Sequence, residues 1–361
     1  MRPRGARARR TPRAGLTLVE LVLATGLLTL LMIAVFSLLD GSLDLWRRAE
    51  TRRHLSEHAG GFLELLATDL GSLEPGAGGD VLVEWVRFDA DGDGLAETGW
   101  PRLRMVRQAS AAEVARLTAG DEEPSTAAAT LEVCWAFTPA PGDADARAEG
   151  IAWRGARLAL DDTRRTFFDP GFFNVTSHEP DAGELEDVTG GLLWVGLRFA
   201  TQTSIVHDGW DLGDRLEHAA SSWDAWNRGR PDTSVHPFNE PGSGMPEAHE
   251  RPLLPRRVRI ELELERETDR KARTRLTEHL AASDGSFSVD DSTRIPRGEE
   301  AYVNLDGEWM LVIGVSGGRV TVRRGQRGSE PVSHDPGSMV HWGARVVREV
   351  PITLYREDWD L

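Results

Sequence analysis

The stretch Gly15-Leu-Thr-Leu-Val-Glu20, which continues into the apolar segment Leu21–Leu39, decides how the N-terminal part of this chain folds. The segment from 21 to 39 carries no charge and has about the 20 residues that an α-helix needs to cross a bilayer. Glu20 is the single acidic residue at the front of this segment. Because a carboxylate in hydrocarbon is costly, Glu20 is either accidental or one half of a charge pair.

The residues before this segment favour one orientation in a membrane. Residues 1–15 contain six arginines and no acidic residue. Basic residues beside an apolar helix stay on the cytoplasmic side, so we expect the chain after Leu39 to be exported. A plain secretory signal peptide is the alternative, but its apolar region is only about 7–15 residues long and ends at a small-x-small cleavage site. Here Leu38-Leu39-Asp40 follows instead.

The helical pattern continues beyond the membrane segment. Apolar residues recur at spacings of three and four and predict an amphipathic helix; they are Leu55, Ala59, Phe62, Leu63, Leu66, Leu70 and Leu73. Arg52, Arg53, Glu57, Glu64 and Asp69 lie between them and are assigned to the polar side. Pro75-Gly76 ends the pattern. The sequence therefore predicts one long N-terminal helix.

From residue 81 onward the pattern is that of β-strands separated by turns. The predicted strands are Val81–Phe88, Arg102–Arg107, Leu131–Phe137, Gly155–Leu160, Leu192–Phe199, Arg256–Arg266 and Val346–Leu354. Residues 201–255 are too long for an ordinary loop and are predicted to be an irregular insertion or a surface that faces a partner. The expected fold class is α+β, with the long helix packed on an antiparallel sheet.

The basic leader, Gly15, Glu20 and the apolar run together resemble the N-terminal signal of type IV prepilins and type II secretion pseudopilins. The resemblance implies that a prepilin peptidase cuts after Gly15, that the new amine of Leu16 is methylated, and that Glu20 acts in subunit assembly. It also implies a single-pass protein of the bacterial inner membrane with a periplasmic C-terminal domain. The implied partners are the major pseudopilin and other minor pseudopilins.

Later segments narrow this resemblance. Trp135-Ala-Phe, Trp153-Arg-Gly-Ala-Arg-Leu, Leu192-Leu-Trp-Val-Gly-Leu-Arg-Phe and the basic-apolar strand after Leu254-Pro255 resemble, in order, the minor pseudopilin J of type II secretion systems. That family implies a structural subunit at the filament tip and no enzyme activity. This chain departs from that family at one point, because the last strand pattern resumes only at Arg345, which predicts an insertion. The predicted organisation is a leader (1–15), a pilin helix (16–74, membrane-spanning to about 39), a β-domain (76–281 and 345–361) and an inserted β-module (282–344).

The insertion has hairpin turn signals at Asp306-Gly307 and Gly317-Gly318. Its Arg-Gly-Gln-Arg-Gly run ahead of a histidine resembles small β-modules of phage tail proteins, which implies a compact β-barrel. Arg323, Arg324 and Arg327 are interpreted as a solvated basic edge rather than an anion site.

Composition excludes some functions. The formal charge is −16 in 361 residues, so nucleic acid is not an expected partner. Cys134 is the only cysteine, which excludes an intrachain disulfide, and we interpret it as a small core residue. The sequence contains no nucleophile elbow, no phosphate-binding loop and no dinucleotide fingerprint. His54 and His58 lack the acidic neighbour of a zinc protease helix, and the remaining histidines are assigned to loops.

One segment carries the pattern of a calcium ligand set. Asp89, Asp91 and Asp93 alternate before Gly94, and the carbonyl of Leu95 and the carboxylate of Glu97 can complete the first half of an EF-hand-type loop. Trp100 stands where the bidentate glutamate belongs, and strands rather than helices flank the loop. An acidic hairpin turn that is stable without metal is the alternative. Calcium is thus a possible cofactor, and a membrane-anchored, calcium-dependent binding module or a type IV minor pilin is the alternative function.

Overall fold

The computed structural model describes residues 18–76, 78–89, 98–119, 129–141, 148–159, 166–169, 172–173, 183–200, 223–226, 252, 254–265, 270–271, 273–298 and 300–353. The chain divides into two compact units, Met1–His54 and Leu55–Leu361. Helix α1, Leu18–Gly71, contributes to both units. A second, short helix, α2 (Ala111–Leu117), begins with a capping box formed by Ser110 and Glu113.

The second unit is dominated by an eight-stranded antiparallel sheet, here called the large sheet. Its strand order is β14-β7-β5-β4-β3-β2-β1-β6. The strands are β1 Val81–Phe88, β2 Thr98–Gln108, β3 Thr130–Pro139, β4 Gly150–Leu158, β5 Glu186–Ala200, β6 Trp223–Asp224, β7 Arg257–Leu264 and β14 Ala344–Pro351. All seven strands predicted from the alternation of apolar and polar residues are present, and the coarse α+β assignment is confirmed.

Part of the long segment 201–255 returns to this sheet. Trp223 and Asp224 pair with Val83 and Leu82 at the edge of β1. The Trp223 side chain is buried and packs against the ring of Phe199, with 5.3 Å between the ring centroids. This part of the segment therefore completes the core and is not a surface for a partner.

A second, six-stranded sheet is built from residues 274–341, here called the β-module. Its order is β8-β13-β10-β11-β12-β9, with β8 Thr274–Arg275, β9 Ser286–Ser288, β10 Tyr302–Leu305, β11 Glu308–Ser316, β12 Arg319–Gln326 and β13 Met339–His341. A bridge between Leu276 and Val289 joins the two outer strands and closes the sheet on itself. The interior is a separate apolar cluster that includes Phe287, Val303 and Met310.

Both predicted hairpin turns of the β-module are confirmed. Asp306 and Gly307 have φ values of 49° and 92°, and Gly317 and Gly318 have 57° and 86°. Two successive residues with positive φ are typical of the tight turns whose twist matches that of paired strands. Glycine is favoured there because it has no Cβ to clash.

The β-module occupies the connection between two neighbouring strands of the large sheet. Leu264 at the end of β7 and Ala344 at the start of β14 are paired in register. In a simple antiparallel hairpin such a pair would be joined by a short turn. The β-module therefore replaces a hairpin turn, and its two ends lie side by side.

Candidate membrane anchor and buried charge clusters

The first part of helix α1 has the composition of a membrane span. Leu21–Leu39 has a mean hydropathy of 2.5, and none of it is buried in the protein. All its large apolar side chains are at least 45 % exposed, on every side of the helix. A helix that is apolar all round needs an apolar environment. By length and composition it fits a membrane span, and a signal sequence near an N-terminus shares these properties.

Only part of the predicted processing site can be located. Glu20 lies in the first turn of α1, beside the exposed side chains of Val19 and Leu21. Gly15 and Leu16 lie outside the described residues, and so does the side chain of Glu20. Cleavage after Gly15 and the charge pair of Glu20 stay predictions.

The last part of α1 packs on the large sheet. Phe62, Leu66 and Leu70 belong to the same buried cluster as the inward side chains of β1, β2, β3, β5 and β7. Phe62 meets the ring of Trp135 edge-on, with 5.3 Å between the centroids. From Ala59 to Leu73 the predicted apolar stripe is confirmed, because these side chains are buried while Glu64 stays exposed. The side chain of Leu55 lies outside the described residues.

Asp69 is the exception to the predicted pattern. It was assigned to the polar side of the helix, and this is wrong, because its side chain is fully buried. It accepts hydrogen bonds from Trp135 Nε1 at 2.8 Å and from Arg154 Nε and Nη2 at 2.8 and 2.9 Å. Arg107 Nε lies 2.9 Å from its second oxygen. Three strands of the sheet thus converge on one helical carboxylate.

The opposite face of the sheet carries buried charges under aromatic rings. Arg102 and Arg104 pair with Glu84. The guanidinium of Arg102 lies 3.6 Å from the centroid of the Phe173 ring. The Arg104 side chain donates to the carbonyl of Phe167 at 3.1 Å. Phe167 and Phe173 therefore cover charges that would otherwise face solvent.

Cys134 lies under the same cover and is fully buried, as expected of a core residue. Burial raises the pKa of its thiol to about 12. A thiol in this environment stays protonated and unreactive.

The acidic segment proposed for calcium joins two neighbouring strands. β1 ends at Phe88 and β2 begins at Thr98, and these two residues are paired in the antiparallel register. Asp89 is partly buried at the end of β1, and Asp91, Asp93, Leu95 and Glu97 lie outside the described residues. Within the described ranges no group of three histidine, cysteine or acidic side chains is arranged to hold a metal ion. Calcium binding stays a prediction.

The interpretation of the module arginines as a solvated edge is wrong for two of the three. Arg324 pairs with Glu308, and its side chain is only 8 % exposed. Arg327 pairs with Glu263 of β7 and is 6 % exposed. Only Arg323 faces solvent. The two buried arginines are occupied by carboxylates, so neither supports an anion site.

His334 is also buried rather than in a solvated loop. Its Nδ1 lies 3.0 Å from Asp306 and its Nε2 lies 2.9 Å from Glu308. Burial alone would lower the pKa of His334, but the hydrogen bonds to Asp306 and Glu308 outweigh it, and the pKa is raised. The pKa values of Asp306 and Glu308 are lowered, because hydrogen bonds from His334 and Arg324 outweigh the cost of burial. The His334 ring thus lies between two carboxylates, an arrangement that favours its protonated form.

His341, another histidine assigned to a loop, lies in β13 and is buried beside Glu265, with 3.7 Å between Nδ1 and Oε1. Sequence reasoning missed these buried polar positions. The signal that was available for Asp69 is its spacing: it follows Leu66 by three residues and precedes Leu73 by four, which places it on the apolar stripe.

Comparisons of the chain with protein-family models, with curated proteins and with solved structures find no match.

Proposed function

We propose that this chain is a minor pseudopilin of a type II secretion system, a J-like structural subunit of the pseudopilus tip that primes filament assembly. The proposal rests on two properties that occur together in helix α1, an exposed apolar segment and a set of turns that packs on a folded domain. α1 has a fully exposed apolar segment over Leu21–Leu39, preceded by Gly15 and Glu20, and its last turns pack on an antiparallel sheet. A pilin subunit needs these two properties, a membrane-resident half and a half that carries a soluble domain.

The role of Glu20 follows from the energetics of charge in lipid. After cleavage Leu16 would carry a positive amine, about 6 Å from Glu20 along the helix axis. Each charge alone is costly in hydrocarbon, whereas a pair is much less so. In a filament, the carboxylate of Glu20 neutralises the amine of a neighbouring subunit and sets the axial register between helices. A subunit that carries this acid therefore lies below the outermost position of the filament. Its apolar segment lies in the inner membrane and its second unit in the periplasm.

Two other functions share some of these features. A type IV minor pilin has the same N-terminal signal, and adjacent genes for a secretion apparatus or for a pilus distinguish the two systems. A membrane-anchored, calcium-dependent binding module would use α1 only as a tether. The packing of the last turns of α1 into the core of the sheet favours a pilin subunit over a tether, because a tether has no need of that contact.

Processing tests the proposal directly. The full chain is coexpressed with a prepilin peptidase, and the N-terminus of the membrane protein is measured by mass spectrometry. We expect cleavage between Gly15 and Leu16 and methylation of the Leu16 amine. A bulky substitution, Gly15→Leu, should block cleavage, because the peptidase has no room for a side chain there. Cleavage within residues 37–42 would refute the proposal in favour of a signal peptide.

The assembly role has its own test. Glu20→Gln should leave membrane insertion and cleavage intact and reduce co-purification with the other minor pseudopilins several-fold. Glu64→Gln is the matched control, since Glu64 is an exposed acid on the same helix. Equal recruitment of both variants would exclude a register role for Glu20.

A further inference from the structure

Arg327 lies in an aromatic cage at the junction of the β-module and the large sheet. Its guanidinium carbon is 4.2 Å from the ring centroid of Trp194, 4.0 Å from that of Tyr302 and 4.3 Å from that of Trp309. Cation–π contacts of this kind are strongest when the cation is desolvated. The residue has a φ of 55°, a left-handed conformation that few residues other than glycine adopt. The backbone thus accepts an uncommon conformation at the residue whose side chain fills the cage.

The cage spans both sheets. Trp194 lies in β5 of the large sheet, whereas Tyr302 and Trp309 lie in β10 and β11 of the β-module. Glu263, the register partner of Trp194, supplies the counter-charge, with 2.6 Å between its Oε2 and Arg327 Nη1. Both side chains of this ion pair are at most 6 % exposed. One arginine of the β-module therefore contacts two neighbouring strands of the large sheet.

Glu263 also fixes the exit of the β-module. Its Oε1 accepts a hydrogen bond from the backbone N–H of Gly343 at 3.1 Å, one residue before β14 begins. A single carboxylate of β7 thus contacts both the body of the β-module, through Arg327, and the point where the chain returns to the large sheet.

The other ion pairs across this junction are weaker or more local. Arg87 and Glu330 form a pair with side chains 48 % and 63 % exposed, and Glu300, the partner of Arg345, is 65 % exposed. Solvent screens such pairs, and they contribute little. Arg273, at the entry of the β-module, is largely buried and pairs both with Glu265 and with Glu149 beside β4. His341, near the exit of the β-module, lies beside Glu265. These contacts hold the two ends of the β-module and not its body.

We propose that Arg327 is a latch that holds the β-module in one orientation on the large sheet. Each sheet has its own apolar core, so neither depends on the latch for its fold. The ion pair and the three rings instead couple the two bodies. Removing the guanidinium leaves Glu263 buried without its cation and the cage without its centre, and the β-module then moves about its two connections while both sheets stay folded.

Distance measurements between spin labels test this latch in the full-length chain in detergent. Labels are placed at Ile313→Cys in the β-module and Val188→Cys in the large sheet, because both side chains are exposed. The native Cys134 is buried, and its raised pKa keeps it from reacting with the label. The labelled parent should give a single narrow distance distribution.

Arg327→Ala should broaden this distribution severalfold, with the β-signal in circular dichroism retained. Arg323→Ala is the matched control, because Arg323 is an exposed arginine in β12, the strand that immediately precedes Arg327, and it should leave the distribution narrow. Arg327→Lys keeps the charge but loses the planar stacking surface, and should broaden the distribution to a smaller extent. If Arg327→Ala does not fold, the widths of the distance distributions of Arg327→Lys and Glu263→Gln test the latch instead. Distributions as narrow as that of Arg323→Ala in these variants would overturn the latch.

Discussion

Two buried carboxylates, Asp69 of helix α1 under the large sheet and Glu308 of the β-module, each lie at the centre of a charge cluster, and the two clusters differ in their cations. Asp69 in the large-sheet core is surrounded by Arg107, Arg154 and the indole of Trp135. Glu308 in the β-module is paired with Arg324 and His334. The cations of the first cluster are arginines, whereas those of the second include a histidine, the side chain whose ordinary pKa lies closest to neutral pH.

Both clusters stabilise a buried carboxylate, but the two should respond differently to pH. A buried acid is tolerated only when cations and hydrogen-bond donors replace its lost hydration. With arginine this compensation is permanent. With histidine it depends on pH. We therefore expect the attachment of α1 to the sheet to be insensitive to neutral pH changes and the β-module to be sensitive to them.

The largest effect is expected from Asp69→Ala. This change leaves Arg107 and Arg154 buried without their shared anion, so the free energy of unfolding should fall by about 3–5 kcal/mol. Denaturant unfolding of the full chain in detergent, followed by tryptophan fluorescence, measures it. Glu64→Ala is the matched control on the same helix and should change stability by less than about 0.5 kcal/mol. A loss below about 1 kcal/mol for Asp69→Ala would show that the cluster contributes little beyond its geometry.

A smaller effect is expected from His334→Gln in the β-module. Glu308 keeps Arg324 as its partner, and Asp306 loses a charged donor, so the loss should be about 1.5–3 kcal/mol, as for one hydrogen bond to a charged group. Thermal unfolding at pH 6 measures the change. The control is His279→Gln, since the His279 side chain is 57 % exposed and its substitution should leave the melting temperature nearly unchanged. Equal melting temperatures for the two variants would contradict the assigned role.

The free energy of unfolding of the β-module should decrease on both sides of a pH optimum, along an acid limb and an alkaline limb. The pKa of His334 is raised above 6.5, so its contribution is fully present below pH 6.5 and is lost as the pH rises through the folded-state pKa. The pKa values of Asp306 and Glu308 are lowered from 3.8 and 4.5, so their contributions are present above those values and are lost as the pH falls. Stability should therefore peak between about pH 4.5 and 6.5.

Unfolding measured across about pH 2–9 tests this dependence. His334→Gln should abolish the alkaline limb, while Asp69→Asn should leave that limb unchanged. An alkaline limb that persists in His334→Gln would assign the dependence to another group.

The smallest effect concerns the acidic segment between β1 and β2. If Asp89, Asp91 and Asp93 bind calcium with a dissociation constant of about 10⁻⁴ to 10⁻³ M, millimolar calcium should stabilise the folded chain by about 1 kcal/mol. The melting temperature would then rise by about 2–4 °C. The control is the double variant Asp91→Asn, Asp93→Asn, in which calcium should have no effect. No shift and no heat of binding in the parent chain at several millimolar calcium would leave the acidic hairpin turn as the better interpretation.

The sequence was a good guide where one local period decides the structure. Seven of the eight strands of the large sheet follow from alternation, the apolar stripe of α1 follows from spacings of three and four, and the two hairpin turns follow from their glycines; β6 was not predicted. The buried charges did not follow in the same way. Arg154 meets Asp69 across 85 positions of sequence, and a rule that assigns every acid to solvent misses such a pair.

The β-module showed the same limit. Arg324 and Arg327 look like surface residues in the sequence, and only the folded structure brings Glu308 and Glu263 to them. Such pairs depend on which strands become neighbours, and no local pattern contains that information.

The pairing of Leu264 with Ala344 has a consequence for the order of folding. In an unfolded chain, pairing β7 with β14 brings together the two ends of the unfolded segment 265–343. The entropic cost of closing such a loop rises with its length. Once the β-module has folded, its two ends are already adjacent, and the same closure resembles that of a short hairpin. Folding should therefore begin inside the insertion, and β14, although it follows 343 other residues, should join the sheet as soon as the β-module is complete.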